Sequence, residues 1–185
     1  MYEEEAKKKV NIDERLFERI SMGDEEAFKE LYELSYKPLY AFLLSLTQNA
    51  EDAQDLLQDT FVQVFNHSHK YQNKGNPMAW MMKIGKNLFL MQYRKNQNKQ
   101  TASFEELENM LGLDQIQNVE DRILLEKIFS EVSSEEREII VMHVVGGLKF
   151  REIAQVTGKP VGTVLARYNR SMKKLQKDYQ VNDRE

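Results

Sequence analysis

Phe150-Arg151-Glu152-Ile153-Ala154-Gln155-Val156-Thr157-Gly158-Lys159-Pro160-Val161-Gly162-Thr163-Val164 reads as two short helical patterns broken at a glycine. Ala154 is small where two crossing helices must approach closely. Gly158, four residues on, can adopt the positive φ of a tight turn at little steric cost. Ile153, Val161 and Val164 are the apolar residues expected to fix the crossing. This is helix-turn-helix spacing, and the second helix would offer Gly162, Thr163, Leu165, Ala166, Arg167 and Arg170 to a DNA major groove, with Lys173, Lys174 and Lys177 placed for phosphates. Taken alone the pattern also fits a packing hairpin with a basic outer face.

Upstream of this segment, Ser133 and Glu136 form a capping-box pair, followed by Ile139, Ile140 and Met142, with Gly146-Gly147 as the stop. From Lys95 to Asp121 the chain is rich in Asn, Gln and charge. It reads as a linker, with one short helix between a Ser103/Glu106 capping box and Gly112. Further back, Asn76-Pro77 starts a long helix through about Arg94, and Asn66 to Asn76 lacks periodicity and reads as a loop. Asn49 caps a helix whose Ala53, Leu56, Leu57, Thr60, Phe61, Val64 and Phe65 recur at three-and-four spacing, a core stripe. Gly23-Asp24 starts a helix with Glu25 and Glu26 in its first turn and Ala27, Leu31 and Leu34 on one face; Pro38 is expected to open the next helix, over Leu39 to Leu46. With eight glycines, three prolines and no sustained two-residue alternation, the expected fold is all-α.

The net charge of -4 conceals a blocky distribution. Asp24 to Asp59 holds nine acids against Lys29 and Lys37, whereas Thr60 to Phe104 holds seven bases and no acid. Glu105 to Glu138 then carries eleven acids against Arg122, Lys127 and Arg137, and Lys149 to Lys177 carries eight bases against Glu152 alone. Two basic blocks separated by an acidic one point to two nucleic-acid-facing surfaces on different parts of the chain. Cysteine is absent, which excludes a disulfide framework and a thiolate metal site and suits a reducing compartment. No apolar run approaches the ~20 residues of a membrane helix, and the charged stretch from Met1 to Val10 does not read as a signal peptide. The expected location is cytoplasmic, without membrane insertion.

On the helix from Asn49, the face away from the core stripe carries Asp52, Asp55, Gln58, Asp59 and Val62, which suits contact with a basic protein partner. The acid-free block follows, with His67, His69, Lys70, Tyr71, Asn73, Lys74 and Asn76 around a loop. The next helix sets Trp80, Lys83, Asn87 and Arg94 along one side, with Met81, Ile84 and Leu88 facing inward. Aromatics interleaved with bases and amides can stack unpaired bases while neutralising phosphate, at about 1–3 kcal/mol per stacked base. A single Trp on a helix is more often a core residue than a base-stacking one. His67 and His69 form a His-x-His pair without a third ligand in view, so no metal is expected.

Four segments in order resemble the extracytoplasmic-function sigma factors: Asp24-Glu25-Glu26-Ala27-Phe28; Glu51-Asp52-Ala53-Gln54-Asp55-Leu56-Leu57-Gln58-Asp59-Thr60-Phe61; Ala79-Trp80-Met81 with Ile84 and Asn87-Leu88; and Pro160-Val161-Gly162-Thr163-Val164. The resemblance runs from about Leu16 to Tyr179, with the linker unmatched. It implies two small helical domains joined by a flexible linker: a region 2 bundle over 15–95, a linker over 96–121 and a region 4 helix-turn-helix over 122–180. It further implies contact of Asp52, Asp55, Gln58, Asp59 and Val62 with the clamp coiled coil of core RNA polymerase, and a flap contact elsewhere. Capture of the melted minus-ten strand would fall to Lys70, Tyr71, Asn73, Lys74, Asn76, Trp80, Lys83, Asn87 and Arg94. The minus-thirty-five duplex would be read by Arg151, Pro160, Gly162, Thr163, Leu165, Ala166, Arg167, Arg170, Lys173 and Lys174. The family also implies an anti-sigma partner. Two departures stand out: Met91 where the family often has Asp, and Leu165-Ala166 where it often has Lys-Ser. Leu165 cannot donate to a guanine, though it can pack on a thymine methyl.

The charge pattern fits this role. Duplex binding gains most from counterion release, and an acidic protein with two short basic patches gains little of that alone. Docking on polymerase would fix the spacing of the patches, so that binding the second element becomes intramolecular. No phosphate-binding loop of the Gly-rich Lys-Ser/Thr type occurs, so melting without nucleotide hydrolysis, no cofactor and no enzymatic activity are expected. The alternative reading is a stand-alone helix-turn-helix regulator, which requires a sensing or dimerising first domain. A protein-only adaptor would show no DNA dependence.

Overall fold

Asp24, Asn49 and Ser133 each stand one residue ahead of a helix with an extended backbone, and each side chain accepts a backbone N–H three residues on, from Ala27 (3.1 Å), Asp52 (2.9 Å) and Glu136 (3.4 Å). Such caps satisfy donors that a helix start otherwise leaves unpaired, at about 0.5–2 kcal/mol each. The Ser133 box closes reciprocally, its backbone N–H and hydroxyl both donating to the Glu136 carboxylate at 3.0 and 2.8 Å. Burial opposes ionisation of that carboxyl, but the two bonds from Ser133, a hydrogen bond from Ser171 and the nearby Lys174 charge together outweigh it and hold Glu136 below the usual carboxylate range.

The structure is a computed structural model that describes residues 11–71, 75–93 and 132–182. All regular structure among these is helical: α1 (Arg15–Ser21), α2 (Glu25–Thr47), α3 (Ala50–His67), a single 3-10 turn (Ser68–Lys70), α4 (Pro77–Tyr93), α5 (Ser134–Val144), α6 (Phe150–Thr157) and α7 (Val161–Asn182). The expected all-α class and the division into two helical units, α1–α4 and α5–α7, hold. The short helix between Ser103 and Gly112, and the linker around it, lie outside the described residues. Among the described residues no helix is long and apolar enough to cross a membrane.

Helix α2 is the axis of the molecule, packed against α1, α3, α4 and α5. Its second half, Leu39 to Ser45, is buried on every side, as a helix hydrophobic all round must be. Pro38 does not open a helix there; it lies buried inside the continuous α2. The hydrogen bond a proline removes falls to the carbonyl of Leu34, an exposed residue, while burial of the following turn outweighs the local cost. Leu34 itself, expected on the core face, is exposed, and Ser35 is buried in its stead, its hydroxyl donating to Leu31 O at 2.6 Å. Phe65 also leaves the expected core stripe: it is 45 % exposed and meets Phe28 edge-on at 5.4 Å. Helix α3 runs on to His67 and into the 3-10 turn, so Asn66 to Lys70, expected as the start of a loop, is helical.

Helix α4 can lie close to α2 and α3 because Gly85 lacks a side chain. A Cβ there would sit 2.8 Å from Leu43 Cδ2 and 3.2 Å from Thr60 Oγ1. Gly85→Val is therefore expected to lower stability by about 1–3 kcal/mol through overpacking, read as an earlier urea midpoint at unchanged slope.

The second unit closes over the first. Helix α5 packs on α2 and α6 on α4, and one apolar cluster runs from Leu16, Leu44 and Met82 to Ile139, Met142 and Ile153. A smaller cluster of Val132, Ile140 and Leu175 seats α7 on α5.

Candidate nucleic-acid interface

On α3 the phase of the core stripe dictates the opposite face. Asp55, Gln58 and Asp59 are exposed, Asp52 is half-buried and Val62 is 55 % exposed, so the five residues expected to meet a basic protein share one surface. Asp59 accepts from the Gln92 amide of α4 at 3.1 Å. Beside Val62 opens an apolar groove of about 330 Å³, to which α2 contributes Phe28 and Tyr32 and α3 contributes Leu57, Phe61 and Phe65. The groove is not foreseen by the sequence pattern. The excess of apolar residues on α3 is its signal, and Phe65, expected in the core, is part of its rim.

Tyr71 ends the 3-10 turn and Asn76 starts α4, its Oδ1 accepting from Met78 N at 3.0 Å. Between them lies a pocket of about 370 Å³ lined by Lys70, Tyr71, Gly75, Asn76, Ala79, Trp80 and Lys83, together with Gln155 and Val156 of α6. The Tyr71 hydroxyl donates to Gly75 O at 2.7 Å, which ties the end of the 3-10 turn to the approach of α4. Buried Phe17 stacks on Tyr71 at 4.2 Å and meets Trp80 edge-on at 5.3 Å, and Tyr71 and Trp80 meet at 5.4 Å. The two readings left open for Trp80 thus combine: it is half-buried, one part held by Phe17 and another lining the pocket. Burial, and secondly the Glu14 carboxylate, push the Tyr71 phenol well above its ordinary range, so it remains a proton donor.

A second groove of about 300 Å³ lies along α3 and α4, where Trp80, Asn87 and Met91 face Gln63 and His67. Lys83 and Asn87, from the acid-free stretch 60–104, are exposed, and Ile84 and Leu88 are half-buried. Asn73, Lys74 and Arg94 lie outside the described residues. His67 and His69 stand with ring centroids 6.4 Å apart, and among the described residues no group of three or more His, Cys, Asp or Glu could hold a metal.

The helix-turn-helix takes its expected form. Glu152 accepts from Lys149 N at 2.7 Å to start α6; Gly158, with φ of 68°, supplies the left-handed turn; Ile153, Ala154, Val156 and Val164 are buried at the crossing. Val161, expected in that crossing, is 41 % exposed instead, at the first position of α7. Arg151, Pro160, Gly162, Leu165, Ala166, Arg170, Lys173 and Lys174 are exposed and Thr163 is half-buried. Arg167 does not stand open in the same way. It pairs with Glu135 of α5, whose carboxylate also takes Lys159 at 2.7 Å. His143 stacks on Phe150 at 4.5 Å and meets Tyr168 edge-on at 4.9 Å, fixing α7 on α5.

Residues 31–99 match the family model for sigma-70 region 2, and residues 122–175 that for sigma-70 region 4. The chain is 29% identical over 131 residues to the ECF RNA polymerase sigma factor SigM of Bacillus subtilis (strain 168), covering 69% of this chain and 79% of that protein. It is 30% identical over 142 residues to the ECF RNA polymerase sigma factor EcfG of Rhodopseudomonas palustris (strain TIE-1), covering 74% and 76% respectively. The fold is similar to that of the sigma factor RpoE from Bartonella quintana, solved in complex with the anti-sigma factor NepR, with TM-score 0.64 and 23% identity over 84% of this chain and 98% of that one. With both regions present in order, and relatives of this identity covered over most of their length, the chain belongs to the ECF family of RNA polymerase sigma factors.

Proposed function

We propose that this sigma factor divides its work among three surfaces. The acidic face of α3, from Asp52 to Val62, docks on the clamp coiled coil of core RNA polymerase, and region 4 meets the flap. The pocket of Lys70, Tyr71, Asn76, Trp80 and Lys83, extended by Asn87 and by Asn73, Lys74 and Arg94, captures the melted minus-ten strand. Helix α7, with Arg151 and Pro160 beside it, reads the minus-thirty-five duplex. The domains follow as 15–95, 96–121 and 122–180, the middle segment serving as linker, with promoter DNA, core polymerase and an anti-sigma factor as partners. The protein works in the cytoplasm, catalyses no reaction of its own and needs no cofactor.

The observation that carries this reading is an aromatic-and-base pocket whose Lys70, Tyr71, Asn76, Trp80 and Lys83 come from a stretch, 60–104, that holds no acid and is separate in sequence from the exposed recognition helix α7. Strand capture needs both parts of that pocket: stacking offsets an unstacking cost of a few kcal/mol per base, and Lys70 and Lys83 neutralise phosphate. Run-off transcription with purified core polymerase on a promoter library tests it. Discrete start sites that depend on the chain are expected. Tight, specific duplex binding by the isolated chain, with no effect on core polymerase, would instead identify a stand-alone regulator.

A further inference from the structure

The first two turns of α7 present an apolar strip where a recognition helix meets base edges. Val161 and Leu165 are 41 % and 40 % exposed and stand four residues apart, about 6 Å along the axis and on one side of the helix. Buried Val164 and Leu175 lie on the opposite side and seat the helix. Next to the strip, Gly162 and Ala166 are exposed, and a Cβ added at Gly162 would meet nothing within 4 Å. Small residues at this level let the floor of a groove come close enough for Val161 and Leu165 to touch it. Asn169, exposed one turn after Leu165 on the same side, adds an amide, the group that pairs with the N6 and N7 edge of adenine.

The cations on either side of the strip are tied elsewhere. Guanine is read most often by Arg or Lys reaching its O6 and N7. Lys159, just ahead of the strip, and Arg167, just after it, both pair with the Glu135 carboxylate of α5, Lys159 at 2.7 Å. Arg170 stands nine residues after Val161, about 13 Å along the axis and beyond the first turns that reach base edges. We propose that Val161 and Leu165 determine specificity at the upstream element, each seating on the C5-methyl group of a thymine, so that the first turns of α7 read A·T pairs and not guanine. The methyl is the apolar group that marks thymine in the major groove. With base pairs about 3.4 Å apart, side chains about 6 Å apart meet thymines one or two steps from each other. Such contacts release no counterions, so they set sequence preference without adding to the salt dependence that phosphate contacts create.

The inference rests on the sigma-factor reading, and the test separates the two. Holoenzyme made from the full chain and core RNA polymerase first selects its upstream element from promoters randomised at that position. Each thymine of the selected element is then replaced singly by deoxyuridine, which keeps the base pair and removes only the methyl. Affinity is expected to fall about fourfold at two thymines one or two steps apart, as for one apolar carbon returned to water, and to be unaffected at the others. Leu165→Ala is expected to abolish the response at one of these thymines and Val161→Ala at the other, with the slope of affinity against salt unchanged in both. Both side chains are exposed and Ala favours helix, so α7 is expected to persist in each variant. Leu165→Gln, which keeps the reach of the side chain, replaces Leu165→Ala if cooperative melting is lost. A selected element without such thymines, an affinity indifferent to the methyl, or a methyl response that survives in both variants overturns the assignment. Chain-dependent start sites in the same assay then leave the sigma-factor reading standing. Absence of chain-dependent transcription by the parent removes that reading and the methyl contacts with it.

Discussion

Reversing Asp55 and Asp59 to Lys together is expected to lower affinity for core RNA polymerase by more than about a hundredfold while leaving the fold intact. Both side chains are exposed on the outer face of α3, beside Val62 and the apolar groove. Surface substitutions of this kind usually change stability by less than about 0.5 kcal/mol. Removing the Gln92 bond to Asp59 adds little, because that bond is itself exposed. At a docked interface the same change replaces attraction by like-charge contact, and close charge pairs across interfaces couple by about 1.5–7 kcal/mol. Co-purification with core polymerase and far-ultraviolet circular dichroism measure the two halves of this expectation. Glu18→Lys with Glu33→Lys, an equal charge change on exposed residues of α1 and α2, controls for net charge. Undiminished co-purification of the Asp55/Asp59 variant would remove the clamp assignment.

Replacing Arg170 and Lys173 by Ala is expected to have the next largest effect. Holoenzyme binding to a minus-thirty-five duplex should fall about ten- to a hundredfold, with the salt dependence shallower by about one unit for each phosphate that is no longer neutralised. Both residues are exposed on α7, and among the described residues neither is tied to an acid in the way Arg167 is tied to Glu135. Capture of a strand from a template opened in advance should be unchanged, since neither residue lines the strand pocket. If strand capture fails and duplex binding survives, the two nucleic-acid surfaces have been assigned in reverse. Arg167→Ala is a poorer probe, because it also breaks the Glu135 contact that braces α7 on α5.

Much of the candidate site is legible in the amino-acid order. The face of α3 from Asp52 to Val62 follows from the helical period once Leu56, Leu57, Phe61 and Val64 are taken as core, and these are buried. The expected exposure of Lys83 and Asn87, and the turn at Gly158, follow the same local logic. The departures share a cause as well. Leu34, Phe65 and Val161 sit at the margins of apolar stripes, where the period leaves a residue as close to solvent as to the core; the neighbouring helix then decides. At Pro38 the local rule favours a helix start, and burial of Leu39 to Ser45 overrides that rule. The Phe17 support of Tyr71 and Trp80, and the role of Glu135 in holding Arg167, leave no trace in the pattern, since their partners come from separate elements.

What the amino-acid order determined alone is whatever depends on neighbours within about one helix turn: the caps at Asp24, Asn49 and Ser133, the break at Gly158, the phase of each face and the alternation of charge along the chain. Such contacts are short in sequence, and their geometry follows from the backbone. What only tertiary structure decided is how the two units meet: Lys86 on Glu138, Asn76 on Glu152, and α6 across the strand pocket. Those partners are 52 and 76 residues apart. Their meeting depends on the relative placement of whole helices, a property of the packed core that no window of sequence contains.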